Sequence, residues 1–504
     1  MASPPLLEMR GIAKRFGTLQ ALDAVDLVVQ EREIHALVGE NGAGKTTLMN
    51  VLYGLYRADA GTIRIRGTEA RIGGPRDAIA RGIGMIHQHF MLVPPLTIAE
   101  NVVLGDERTG FVLDRRAVEA RVRELSDRFG LAIDPAARVE AVPLGLQQRV
   151  EILKVLYRGS EILVFDEPTA VLTPQEVDEL FVIVRKLRDE GKTVILITHK
   201  LREVLAVTDR ITVLRDGRNA GELVTRETNA AQIARAMVGH ELRTLQARTT
   251  PTGTEPILEI GGLAARSDRG TAALRGVDVV VHAGEILGLA GVGGNGQSEL
   301  AECVMGLRRP TGGTILIAGA DVTHDDPKRT RARGVAYVPE DRRLEGLVLP
   351  FTVAENFILG KHDRAPYARG GVLDGAAIAR EGARLAREFD LRPPDPGVVT
   401  ANLSGGNLQK VVLGRELSER PKLIIASQPT RGLDVAATEY VHERLLEQRQ
   451  AGAAVLLISS ELDEIRALSD RIAVIFEGRI VAALTAAEAT EERLGLLMAG
   501  QAAA

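Results

Sequence analysis

EIHALVGENGAGKTTLMNVLYGL, residues 33–55, has a second version, EILGLAGVGGNGQSELAECVMGL, at 285–307, about 252 residues further on. Beyond the two copies, RGIGMIHQHF (81–90) returns as RGVAYVPEDR (333–342) and TIAENVVLG (97–105) as TVAENFILG (352–360). TDRITVLRDGR (208–218) likewise returns as SDRIAVIFEGR (469–479). One unit is written twice. Between the copies RTTPTGTEP (248–256) is rich in Thr, Pro and Gly without an apolar period, and reads as a linker. The sequence therefore predicts one domain over 1–247, a linker over 248–256 and a second domain over 257–504.

Within each copy short β-branched runs, such as ILVFD (162–166) and TVILITH (193–199), alternate with longer amphipathic stretches, the order of an α/β domain with a largely parallel sheet. TPQEVDELFVIVRKLRDEGK (173–192) predicts a helix, with Val177, Leu180, Phe181, Val184 and Leu187 recurring at three and four and charges on the other face.

A chain of 504 residues suits two or three domains, and 45% apolar with 26% charged residues is the balance of a soluble globular protein. The formal net charge of -4 supplies no basic field for a nucleic acid. Cys303 has no partner for an internal disulfide, which points to a reducing compartment, the cytosol, and its apolar neighbours predict a buried structural thiol. The N-terminus MASPPLLEMRG lacks the layout of a signal peptide, and apolar runs such as AAVLLI (453–458) are far short of a membrane span.

GENGAGKT, Gly39 to Thr46, follows an apolar strand and precedes a helical pattern, the required setting for a phosphate loop. The backbone of Gly39, Glu40, Asn41, Gly42, Ala43 and Gly44 would wrap phosphates at a helix N-terminus, with Lys45 on the β- and γ-phosphates of ATP and Thr46 on Mg²⁺, and Thr47 next to them. ILVFDE ends in Asp166, placed to hold Mg²⁺, and Glu167, placed to orient or deprotonate water. Read singly, the first motif is also a glycine turn with a solvated lysine, and the second a pair of solvated strand-end carboxylates.

The two halves together resemble the ATP-binding-cassette (ABC) family: two tandem cassettes, each with a mainly parallel core sheet, an antiparallel β subdomain and a helical subdomain. That resemblance implies that Gln88 touches Mg²⁺ and the water, that His199 contacts the γ-phosphate, and that Phe16 stacks on adenine. Each has a plainer alternative: a loop amide, a satisfied strand-end histidine, a core ring.

The C-terminal copy keeps the outline and loses the chemistry. Gln297 stands for Lys45, Ser427 and Gln428 for Asp166 and Glu167, Glu340 for Gln88 and Ser460 for His199, and no aromatic replaces Phe16. In the family each ATP lies between one cassette's phosphate loop and the opposite cassette's LSGGQ-like motif. The C-terminal half has LSGGN with Ser404, Gly405 and Gly406, followed by Leu408 where glutamine is common, whereas the N-terminal half has VPLGL, in which Pro143 offers neither hydroxyl nor N–H. Pairing two N-terminal halves would leave no complete site. The sequence thus predicts pairing within one chain, with Ser404, Gly405 and Gly406 completing the site of Lys45, Asp166 and Glu167.

The resemblance reaches furthest to the fused two-cassette ATPases of bacterial simple-sugar and nucleoside importers, and HQHFMLVPPLTIAENVVLG (87–105), QQRVEILKVLYRG (147–159) and QPTRGLDV (428–435) are most similar to the nucleoside branch. It implies ATP hydrolysis at the cytoplasmic face of the membrane, two permease subunits and an extracytoplasmic substrate-binding protein, with coupling through about 89–115 and 341–375. Simple-sugar import is the alternative. A twin cassette acting on ribosomes or DNA, and a nucleotide-binding module without turnover, are the rivals from other classes. The charges of KHDRAPYARGG (361–371) suit either a permease contact or a solvated loop, and the loop is the expectation.

Overall fold

IHALVG, Ile34–Gly39, is buried at every position, as a strand with neighbours on both faces must be. It is β3 of the N-terminal unit, in the company of β1 (Leu7–Phe16), β2 (Leu19–Val29), β4 (Ala60–Ile65), β5 (Thr68–Glu69), β6 (Ile83–Ile86), β7 (Ile162–Asp166), β8 (Thr193–Ile197), β9 (Arg210–Arg215) and β10 (Arg218–Val224). The computed structural model describes residues 4–17, 19–87, 90–105, 114–169, 172, 174–239, 253–498 and 500. The chain divides into two units, Met1–Leu242 and Arg243–Ala504.

The N-terminal core sheet has the order β10-β9-β3-β8-β7-β6, parallel except for β10 against β9. A second, antiparallel sheet has the order β2-β1-β4-β5. Alternation along the buried strands serves two cores at once. In β7, Leu163 and Phe165 join a cluster with the helices Arg115–Phe129, Leu144–Tyr157 and Pro174–Asp189. Ile162 and Val164 join the opposite cluster, formed with the antiparallel sheet and the helix Lys45–Leu52.

The C-terminal unit repeats this plan. Its core sheet runs Val335–Val338, Leu423–Ser427, Ala454–Ser459, Ile286–Ala290, Arg471–Phe476 and Arg479–Thr485, parallel except at the last pair. Ile424 and Ala426 again face one core and Leu423 and Ile425 the other. Local capping is duplicated too: Thr97 and Glu100 form a capping box on Ile98–Val103, and Thr352 and Glu355 form one on Val353–Phe357. Losing such a cap costs about 0.5–2 kcal/mol.

The helix expected at 173–192 spans Pro174–Asp189, with Leu180, Phe181, Val184 and Leu187 buried and Val177 half-buried. Of the expected linker, 248–252 lie outside the described residues, and the strand Pro256–Arg266 starts at its last position. Cys303 is buried, and burial pushes its thiol up to about 11. Among the described residues no helix is long and apolar enough to cross a membrane.

One expectation is corrected. KHDRAPYARGG is not a solvated loop throughout: Lys361 and Tyr367 are buried, and Ala368–Arg369 pairs with Val372–Leu373 in a hairpin. Glu419 lies 3.6 Å from Lys361 and accepts from Arg364 at 2.5 Å. The Lys361 ammonium also lies 5.9 Å from the Tyr367 ring centroid.

Candidate functional site

The glycine loop joins β3 to the helix Lys45–Leu52, and its glycines are required where they stand. A Cβ on Gly39 would sit 2.2 Å from the Leu214 carbonyl oxygen, and one on Gly44, at φ 100°, 2.8 Å from that of Ala21. At Gly42, also left-handed at φ 86°, a Cβ would meet nothing within 4 Å, so the loop is packed at its ends and open at its crown. Gly44 caps the helix without a side-chain hydrogen bond, which leaves the first-turn N–H groups and their partial positive charge for an anion. Lys45 is buried, and its ammonium donates to the carbonyls of Gly39 at 2.7 Å and Glu40 at 2.9 Å. Asn41 and Thr47 are half-buried in the same stretch, Ala43 is buried and Thr46 is exposed.

β7 delivers the two carboxylates. Burial, with the adjoining charge of Glu167, pushes Asp166 up to about 6, against a hydrogen bond from the Thr46 side chain and the charge of Lys45. Glu167 follows at φ 46°, a left-handed conformation costly for a side-chain-bearing residue, held by its N–H donating to Ile197 at 2.9 Å. His199 Nδ1 lies 2.9 Å from Glu167 Oε1. Burial alone would raise the Glu167 carboxyl, but the His199 hydrogen bond and charge, with Lys45 and Lys200, bring it below the usual range.

The structure thus brings Lys45, Thr46, Asp166, Glu167 and His199 together. Gln88 lies outside the described residues. The segment after it is gripped by two residues that sequence reasoning missed: Glu151 accepts from the Met91 N–H at 2.6 Å, and the Lys154 ammonium donates to the Met91 carbonyl at 2.8 Å. Their signal was an acid and a base three apart in the apolar run VEILKVL. Phe16, at the end of β1, is 40% exposed, and its ring meets that of Tyr56 edge-on at 5.1 Å between centroids.

At the equivalent place in the C-terminal unit the backbone is conserved and the charges are gone. Gly296 caps the helix Gln297–Val304 at φ 110°, and the buried Gln297 donates from Nε2 to the Val292 carbonyl at 3.1 Å, imitating Lys45 without its charge. Gln428 keeps the left-handed φ, 47°, of Glu167 and donates its N–H to Ile458 at 2.7 Å. The N–H and hydroxyl of Ser460 each donate to Gln428 Oε1 at 3.2 Å, a neutral copy of the histidine–glutamate contact. Glu340 pairs with Arg431.

Ser404 is exposed at the N-cap of the helix Gly405–Leu417, and its Oγ accepts from Asn407 Nδ2 at 3.0 Å. Pro143 holds the same position on Leu144–Tyr157 with no side-chain cap.

The sequence profile of the ABC transporter family matches this chain twice, over residues 22–170 and 274–431. A guanosine import ATP-binding protein, NupO of Bacillus subtilis, is 50% identical over 98% of this chain and 97% of its own length. A nucleoside import ATP-binding protein, NupA of Lactococcus lactis subsp. cremoris, is 45% identical over 99% of each chain. A glucose import ATP-binding protein, TsgD13 of Haloferax volcanii, is also 45% identical, over 99% of this chain and 96% of its own.

Proposed function

This chain belongs to the ABC transporter family, and from that premise we propose that it is the ATP-hydrolysing subunit driving nucleoside uptake through separate membrane permeases. The observation that carries the ATPase reading is the His199–Glu167 hydrogen bond beside the Lys45 loop, which the other unit keeps in outline with Ser460 and Gln428. Nucleosides as cargo rest on the likeness to the guanosine and nucleoside importers, and the glucose importer, 45% identical like the nucleoside one but below the 50% of the guanosine one, keeps simple sugars as a second reading.

The residues divide the work. The N–H groups of the Gly39–Gly44 loop and the Lys45 ammonium bind the phosphates, Lys45 exchanging its two carbonyls for phosphate oxygens. Phe16 stacks on the adenine. Asp166 and the Thr46 hydroxyl, near enough for Thr46 to lower the Asp166 carboxyl, form an oxygen-only set that suits a hard cation, and Gln88 is a third candidate ligand. Mg²⁺ bound there would neutralise charge on the triphosphate. Glu167 takes the proton of the attacking water, its carboxylate kept ionised and aimed by His199, which also reaches the γ-phosphate.

Because Pro143 deprives the N-terminal motif of a hydroxyl, we assign completion of this site to Ser404, Gly405 and Gly406 of the same chain. The domains are 1–247 and 257–504, joined through 248–256. Two permeases, an extracytoplasmic binding protein and a place on the cytoplasmic face of the membrane complete the assembly. The test is uptake of radiolabelled nucleosides and pentoses into vesicles holding the reconstituted complex. ATP-dependent nucleoside accumulation is expected, and pentose accumulation alone would move the cargo to sugars.

A further inference from the structure

Phe16 is the residue given to the base, yet a lone ring at a hairpin end has little to fix its attitude. Tyr56 supplies the missing support. It follows the helix Lys45–Leu52 on a turn that folds back on that helix, the Tyr56 N–H donating to the Asn50 carbonyl at 3.1 Å. The two rings meet at an interplanar angle of 73°, with centroids 5.1 Å apart, the edge-on geometry favoured by ring quadrupoles. The Lys14 ammonium lies 5.5 Å from the Phe16 centroid and is itself held by Asp59 at 3.0 Å. Tyr56 is 39% exposed and Phe16 40%, so the pair is a surface device rather than part of a core.

The second unit is an internal control. Its copy of GLYRAD (54–59) is GLRRPT (306–311), which puts Arg308 where Tyr56 stands, and its hairpin tip has no aromatic: the strand register places Ser267 where Phe16 stands, with Asp268 next to it. Arg308 donates to Asp268 at 2.8 Å, to Glu302 at 2.6 Å and to the Arg266 carbonyl at 2.7 Å. An ion-pair cluster has replaced the ring pair, in the unit that has also exchanged Lys45 for Gln297. Both partners changed together, as expected of residues that act as a pair.

We infer that Tyr56 is a positioning residue of the adenine site, holding the Phe16 ring in the attitude in which it stacks on the base; this rests on the reading of Phe16 as the base platform. Tripolyphosphate, which carries no base, separates base recognition from the integrity of the phosphate loop. Tyr56→Leu should weaken ATP binding about 3- to 10-fold, in KM rather than kcat, and leave tripolyphosphate affinity unchanged. Tyr56→Phe, which keeps the ring, should restore the ATP affinity. Phe16→Ala should weaken ATP at least as much as Tyr56→Leu, again sparing tripolyphosphate.

Each other outcome is decisive. Weakened ATP binding in Phe16→Ala with none in Tyr56→Leu overturns the role of Tyr56 and leaves that of Phe16. No change in Phe16→Ala overturns the base platform and the inference with it. Equal losses of ATP and tripolyphosphate in Tyr56→Leu would show a general structural role and overturn the inference.

Discussion

His199 Nδ1 lies 2.9 Å from Glu167 Oε1, joining the ends of two adjacent parallel strands, β7 and β8. In the C-terminal unit Ser460 and Gln428 make the same junction with neutral groups. Fold and chemistry have therefore come apart: the left-handed residue after the strand, the strand pairing and the glycine cap survive where the acid, the base and the cation do not. A backbone geometry that costs about 1–3 kcal/mol is retained at Gln428 without a carboxylate to present.

Replacing Glu167 with Gln preserves shape and removes the proposed proton acceptor. Turnover should fall by about 10²- to 10⁴-fold while ATP remains bound, as read from phosphate release and equilibrium nucleotide binding on the same preparation. Unchanged turnover would take Glu167 out of the base role.

Lys45→Ala and Gln297→Ala remove equivalent side chains from the two loops. The first deletes hydrogen bonds from a charged group, each worth about 1.5–3 kcal/mol, and should abolish measurable hydrolysis. The second should change the rate by less than about twofold, since Gln297 gives up a neutral contact to Val292. Comparable losses in both would mean that the second loop takes part in turnover.

Ser404→Ala should lower hydrolysis severely, whereas Pro143→Ala should do little. The Ser404 hydroxyl is exposed at a helix N-cap, while Pro143 has no hydroxyl to lose. Steady-state ATPase rates of the two variants, measured with the permeases present, check this, and equal effects would defeat the assignment of the LSGGN motif to the Lys45 site.

Glu416 offers a test of stability against pH. Burial would raise its carboxyl, but Arg415 and Arg331, with the N–H of Tyr337, outweigh it and hold the carboxyl below the usual range. A folded value below the unfolded one contributes stability at pH above the ordinary carboxylate range and loses it as pH falls through the lowered value. Glu416→Gln leaves Arg415 buried without its charge partner and should destabilise the C-terminal unit by about 3–5 kcal/mol near neutrality. In denaturant titrations that gap should narrow as pH falls below about 4. A gap that stays constant with pH would show that the charge is not what matters.

The repeat, the alternating strands and the phosphate loop were legible because period and glycine spacing are local. Asp166 lies near Thr46, as two candidate ligands of one Mg²⁺ should. Tyr56 against Phe16 and Glu151 with Lys154 on the Met91 backbone were not legible, because each joins positions 40 or more apart that only the folded sheet brings together. KHDRAPYARGG departs from the expected loop for a related reason: its composition is that of a loop, and the ion-pair partner of the buried Lys361, Glu419, lies on a distant segment. The left-handed φ at Glu167 and Gln428 has no compositional mark, since neither residue favours it.

Hydrolysis is proposed to belong to the N-terminal phosphate loop alone. Vanadate trapping of a radiolabelled 8-azido-ATP during turnover, followed by photolysis and cleavage between the two units, reads the location of the hydrolysed nucleotide directly. Trapped label is expected on the fragment carrying Lys45, lost in Lys45→Ala and kept in Gln297→Ala. Label trapped equally on both fragments, or mainly on the one carrying Gln297, would contradict it.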